Sequence, residues 1–121
     1  MVKLRHPDRT GLHLRVVLDG EVAMGPGRAE LLERIRETGS IAAAGRGMGM
    51  SYKRAWNLVE AMNDSFGAPL VAAVKGGAGG GGAVLTGLGA EVLAAFRALE
   101  SKAGEAGASA MARLDALAVR R

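Results

Sequence analysis

Three stretches of the sequence predict a mainly α fold with small β elements. From Gly39 to Asn63 it reads as two short helices separated by a tight turn. From Leu70 to Leu85 two short apolar runs flank a loop made almost entirely of glycine. From Thr86 onward apolar residues recur at helical spacing. Two helices joined by a short Gly-containing turn and followed by a pair of strands describe a winged helix-turn-helix, here with an N-terminal β-hairpin and a C-terminal helix suited to dimerisation.

At 121 residues the chain suggests one domain with a single modest core. Its formal charge of +4 favours polyanionic partners without identifying one. Cysteine is absent, which excludes disulfides and thiolate metal sites. No apolar run approaches the roughly 20 residues of a membrane span, and the N-terminus lacks the apolar stretch of a signal peptide. The expectation is a cytoplasmic protein with no membrane partner. Glycine is so abundant, 19 of 121, that only clustered glycines are given meaning.

Residues 1–13 carry Lys3, Arg5 and Arg9 with Pro7 and Gly11 as breakers, and read as a flexible basic arm. Such an arm either touches phosphates or is simply solvated. Leu14 to Leu18 is a short strand, Asp19-Gly20 a favoured hairpin turn, and Glu21 to Met24 the returning strand. Gly25-Pro26 opens a helix, because proline at the first helical position loses only an amide that has no partner there. Leu31, Leu32, Ile35 and Thr38 mark its buried side; Arg28, Glu30, Glu33, Arg34, Arg36 and Glu37 face water, and Gly39 ends it.

Ser40 then caps the first motif helix, whose narrow apolar face is Ile41, Ala44, Gly45 and Met48. Gly49 supplies the turn, and Ser51 caps the second motif helix. Tyr52, Ala55, Val59 and Met62 form its buried side by periodicity, leaving Lys53, Arg54, Asn57 and Glu60 outward. Trp56 reads as a packing residue, in the core or a subunit contact. Leu70 to Val74 and Ala83 to Leu85 form the strands of a wing, joined by a loop whose glycines predict high mobility. Thr86 caps a helix spanning 87–102 with Leu88, Val92, Ala95, Phe96 and Leu99 as its stripe. Gly104 and Gly107 weaken helix over 103–108, and Ala110 to Val119 is helical again. The expected organisation is therefore an arm at 1–13, a winged helix-turn-helix at 14–102 and a helical tail at 103–121.

Several patterns are decoys. Gly77, Gly79 and Gly82 satisfy G-x-G-x-x-G, but they lie between two strands instead of opening a helix, so nucleotide binding is set aside. His6 and His13 have no companions with metal-ligand spacing. Ser40 and Ser51 are explained as caps and have no base beside them in sequence. The methionines fill core-like positions. No catalytic residue, metal site or cofactor is expected, and the chain does not read as an enzyme.

Gly39-Ser40-Ile41-Ala42-Ala43-Ala44, then Gly49-Met50-Ser51-Tyr52-Lys53-Arg54-Ala55-Trp56-Asn57-Leu58-Val59 with Met62-Asn63, resembles the N-terminal DNA-binding domain of ModE-type molybdenum-responsive transcriptional regulators. Phe66-Gly67-x-Pro69-Leu70-Val71, the glycine-rich wing and Leu85-Thr86-x-x-Gly89 extend the resemblance over roughly residues 14 to 100. It implies a regulator of molybdate-transport or molybdoenzyme genes that binds a palindromic operator as a homodimer. Gly45 and Gly47 depart from it, standing where the family favours helix formers, and are expected to loosen the first motif helix. Residues 103–121 are too few and too Ala-rich for a molybdate-sensing domain, so the expectation is a stand-alone DNA-binding domain, with a separate molybdate-sensing protein as a candidate partner.

The DNA-contacting set expected on double-stranded DNA is Arg46, Ser51, Tyr52, Lys53, Arg54, Asn57 and Lys75. Ser51 to Asn57 would enter the major groove, with Arg54 on guanine and Asn57 on adenine. Lys53, Arg46 and Lys75 would hold phosphates. The rival reading is a winged-helix protein-interaction module without specific DNA binding.

Overall fold

The computed structural model describes residues 11–75 and 81–119. Lys3, Arg5, His6, Arg9, the loop glycines at 76–80 and the terminal Arg120-Arg121 lie outside the described residues, and with them most of the basic arm and the centre of the G-x-G-x-x-G pattern. The rest is mainly helical, with two small antiparallel sheets in a helix-turn-helix-like arrangement.

Strands β1 (Val16–Leu18) and β2 (Glu21–Met24) form the first hairpin. Its turn is Asp19-Gly20, with φ of 52° and 80°. Positive φ at both central residues gives the tight turn whose twist matches the strands, and Asp and Gly are the residues that tolerate it. β1 starts at Val16, two residues later than Leu14. Helix α1 (Pro26–Thr38) opens on Pro26 and ends on Gly39 at φ 71°, whose amide donates to the Ile35 carbonyl at 2.8 Å. Leu31, Leu32 and Ile35 are buried as the periodicity requires. Thr38 is not: it is exposed, and its hydroxyl donates to the Arg34 carbonyl at 2.7 Å.

Helices α2 (Ile41–Gly47) and α3 (Tyr52–Ser65) come next along the chain. The Ser40 hydroxyl accepts from the Ala43 amide at 3.0 Å, and the Ser51 hydroxyl from the Arg54 amide at 3.1 Å. Gly49, at φ 73°, makes the turn between them. Gly45 and Gly47 do not interrupt α2. Gly45 is buried where α2 crosses α3, and a Cβ there would lie 2.9 Å from that of Ala55. The missing side chain permits close helix contact, a benefit set against the lower propensity of glycine.

Strands β3 (Val71–Val74) and β4 (Gly82–Leu85) form the second hairpin, docked by three polar contacts. The Ala83 amide donates to the Gly39 carbonyl at 2.9 Å, bridging the α1–α2 junction. Asn63 Oδ1 accepts from the Leu70 amide at 2.8 Å, tying the end of α3 to the start of β3. The Thr86 hydroxyl donates to the Pro69 carbonyl at 2.7 Å while accepting from the Gly89 amide at 3.0 Å, so one side chain caps the next helix and fixes it to the hairpin.

That helix, α4 (Gly87–Ala106), runs through Gly104 and ends later than residue 102; α5 (Ala108–Leu117) begins after Gly107 alone. The apolar stripe is rotated from its expected position. Gly89, Leu93 and Phe96 take the buried places, Leu88 and Val92 are half-buried, and Ala95 and Leu99 are exposed. Leu93 wins over Ala95 because α4 meets α1 on that side. There Arg97 grips Glu33 with two hydrogen bonds, Nε to Oε2 at 3.0 Å and Nη2 to Oε1 at 2.6 Å, and reaches Glu100 at 2.7 Å. Hydrogen bonding to Glu33, and then to Glu100, raises Arg97 above the ordinary guanidinium range despite partial burial. Glu33 and Arg34, expected in water, are half-buried, while Arg34 donates to Glu30 at 2.9 Å, an i,i+4 pair in the order that helix spacing favours.

Candidate nucleic-acid interface

Helix α3 owes its orientation to Ala55, Val59 and Met62, each buried to 2% exposure or less. They occupy one narrow side, so the remaining arc must face outward. That arc has two flanks. On one, Ser51, Lys53, Arg54, Asn57 and Leu58 line a shallow depression of about 350 Å³. On the other, Tyr52, Trp56 and Glu60 face a groove of about 380 Å³ whose far wall is the β3–β4 hairpin, including Val71, Val74 and Gly82.

The structure therefore brings Ser51, Lys53, Arg54 and Asn57 together. Arg46 stands exposed near the end of α2, and Lys75 exposed just past β3. Neither shares the depression. Tyr52 lies on the opposite flank, 57% exposed, which corrects its placement on the buried side of α3. Trp56 is 43% exposed, not a core residue. The reason is angular: Ala55 is buried, and its neighbour points about 100° away.

The cations on and beside α3 differ in pairing from Arg28, Arg34 and Arg97. Arg34 and Arg97 are engaged by carboxylates. The Arg28 guanidinium donates to the Val22 carbonyl at 3.0 Å, and burial followed by the nearby Arg15 charge lowers its pKa. By contrast Arg46, Lys53, Arg54 and Lys75 hold no side-chain hydrogen bond or ion pair among the described residues. Exposed cations beside an exposed amide can donate to phosphate oxygens and to base edges. Among the described residues, no three His, Asp or Glu side chains gather as metal ligands, and no helix is long and apolar enough to cross a membrane.

No protein-family model matches the chain. Individual relatives do. It is 53% identical over 78 residues to the molybdenum-pterin-binding protein MopB of Rhodobacter capsulatus, covering 64% of this chain and 29% of that one. It is 43% identical over 88 residues to the molybdenum transport protein ModE of Azotobacter vinelandii, covering 71% and 33%. With the DNA-binding transcriptional dual regulator ModE of Escherichia coli it shares 41% over 73 residues, covering 60% and 28%. The matches span about a third of the length of these relatives. Over most of its own length, then, the chain is ModE-like.

Proposed function

We propose that this chain is a sequence-specific DNA-binding transcriptional regulator acting as a homodimer on a palindromic operator, at genes of molybdate transport or of molybdoenzymes. The observation that carries the reading is the unpaired cation–amide set on the exposed flank of α3. Residues 14–102 form the winged helix-turn-helix, with the β3–β4 hairpin as wing; 1–13 serve as a basic arm and 103–121 as a helical tail. Ser51 to Asn57 enter the major groove. Arg54 donates two hydrogen bonds to guanine O6 and N7, and Asn57 exchanges two with adenine N6 and N7, each contributing roughly 1–3 kcal/mol of discrimination. Lys53, Arg46 and Lys75 neutralise phosphates and set register. Tyr52 adds a contact at the edge of the groove. Two copies related by a two-fold axis read the two half-sites. The relatives named for molybdenum and for transcriptional regulation support the gene class; a cytoplasmic location and a separate molybdate-sensing partner protein complete the proposal.

Selection of bound fragments from host genomic DNA at near-physiological salt tests this reading, with Arg54→Ala and Asn57→Ala in parallel. The expected result is a palindrome upstream of the named gene class, with specificity lost in both variants. Lys53→Ala should weaken all sequences alike and lower the salt slope by about 1. The Tyr52–Trp56 groove favours a second reading, a protein-interaction module. Duplex binding with a salt slope near zero, and no enriched sequence, would replace the first reading with the second.

A further inference from the structure

Tyr52 and Trp56 stand about one turn apart on α3, and both are largely exposed. Neither the Tyr52 hydroxyl nor the Trp56 indole N–H holds a hydrogen bond among the described residues. Ala55 takes the buried place in that turn, and the far larger Trp56 is left outside. Paired aromatic rings kept out of a core are surface suited to a contact outside the chain.

The charges around the pair say what that contact is. The rings face the groove between α3 and the β3–β4 hairpin, whose opposite wall, at Ala73, Val74 and Gly82, is small and apolar. Lys53 and Arg54 follow Tyr52 on α3, and Lys75 follows Val74 on the hairpin side, so unpaired cations border the groove on both sides. Glu60, the acidic residue among the described lining, lies two turns on from Tyr52 and keeps phosphate away from that end. Apolar surface between two sets of cations matches a nucleic-acid strand, whose sugars and base edges run between phosphates.

A helix with its side chains is about 10–12 Å across, and the major groove is about 12 Å wide. If α3 enters through Lys53, Arg54 and Asn57, both its flanks therefore lie within reach of the DNA. Trp56 and Asn57 are consecutive and point about 100° apart. With Asn57 on a base edge, Trp56 faces the base pairs beside it. The apolar group that base pairs present there is the thymine C5-methyl.

We infer that Trp56 reads thymine, its indole packing on a C5-methyl in the base pairs next to the adenine held by Asn57. The inference rests on the DNA-binding reading above and names the base that this second flank of α3 selects.

The probe is the fragment enriched in the selection above, remade with uracil in place of one thymine at a time, which removes the methyl alone. In each half-site the parent is expected to bind one such duplex about 4-fold more weakly, the worth of one buried methyl. Trp56→Ala and Trp56→Gln should bind that uracil duplex and its thymine form equally. Lys53→Ala should keep the 4-fold difference while binding both more weakly. Each ratio compares two duplexes with one protein preparation, so any loss of folded protein cancels. Equal binding of every uracil duplex by the parent would overturn the Trp56 contact and leave the DNA-binding reading standing. A uracil penalty that persists in both Trp56 variants would overturn it equally, by assigning the methyl to another side chain. If the parent enriches no sequence at all, both readings fall.

Discussion

Two glycines of α4 should respond to the same substitution with opposite signs. At Gly104 an added Cβ meets nothing within 4 Å. Gly104→Ala should therefore gain helix propensity alone, about 1 kcal/mol. At Gly89 the added Cβ would fall on the Leu70 carbonyl, with the Leu70 carbonyl carbon at 3.0 Å and its Cα at 3.2 Å. These are backbone atoms and cannot rotate away. The Leu70 carbonyl accepts from the Thr86 amide at 2.9 Å, and the Leu70 amide donates to Asn63 at 2.8 Å. Relief requires α4 to move off the hairpin, losing hydrogen bonds of about 1 kcal/mol each together with packing of roughly 1–3 kcal/mol. After the ~1 kcal/mol propensity gain, the net loss is about 2–4 kcal/mol. The two variants should thus differ by about 3–5 kcal/mol, at roughly 3–5 °C of melting temperature for each kcal/mol in a chain of this length. Thermal and urea unfolding followed by far-UV circular dichroism would measure the difference. If Gly89→Ala melts with or above Gly104→Ala, the close approach of α4 to Leu70 is wrong.

Gly45→Ala tests the α2–α3 crossing in the same way. Contact with Ala55 at 2.9 Å and Met50 Cγ at 3.4 Å should outweigh the propensity gain, for a net loss of about 1 kcal/mol in chemical denaturation. Stabilisation would mean that α2 is loosely packed after all. Asn63→Leu should cost about 1–3 kcal/mol by leaving the Leu70 amide without its acceptor, and should speed hydrogen exchange in β3. Asn63→Asp keeps an acceptor oxygen and should cost less, and equal losses for the two would remove the hydrogen bond as the cause.

Much of this molecule was decided by interactions within a few residues. Ser40, Ser51 and Thr86 cap their helices because each hydroxyl bonds an amide three positions on, a relation visible in one dimension. Asp19-Gly20 and Gly49 take positive φ for equally local reasons. The outward placing of Lys53, Arg54 and Asn57 came from helical period alone. Other features depend on segments far apart in the chain. The rotation of α4 toward Leu93 results from its contact with α1, and the Glu33–Arg97 pair joins residues 64 positions apart. Gly45 and Gly89 are packing residues only because Ala55 and Leu70 come close to them. Trp56 and Tyr52 face a groove because the β3–β4 hairpin is held across from α3 by Asn63 and the Gly39 carbonyl. Spacing along the chain determined which residues share a side of each element; only packing between elements determined what each side meets.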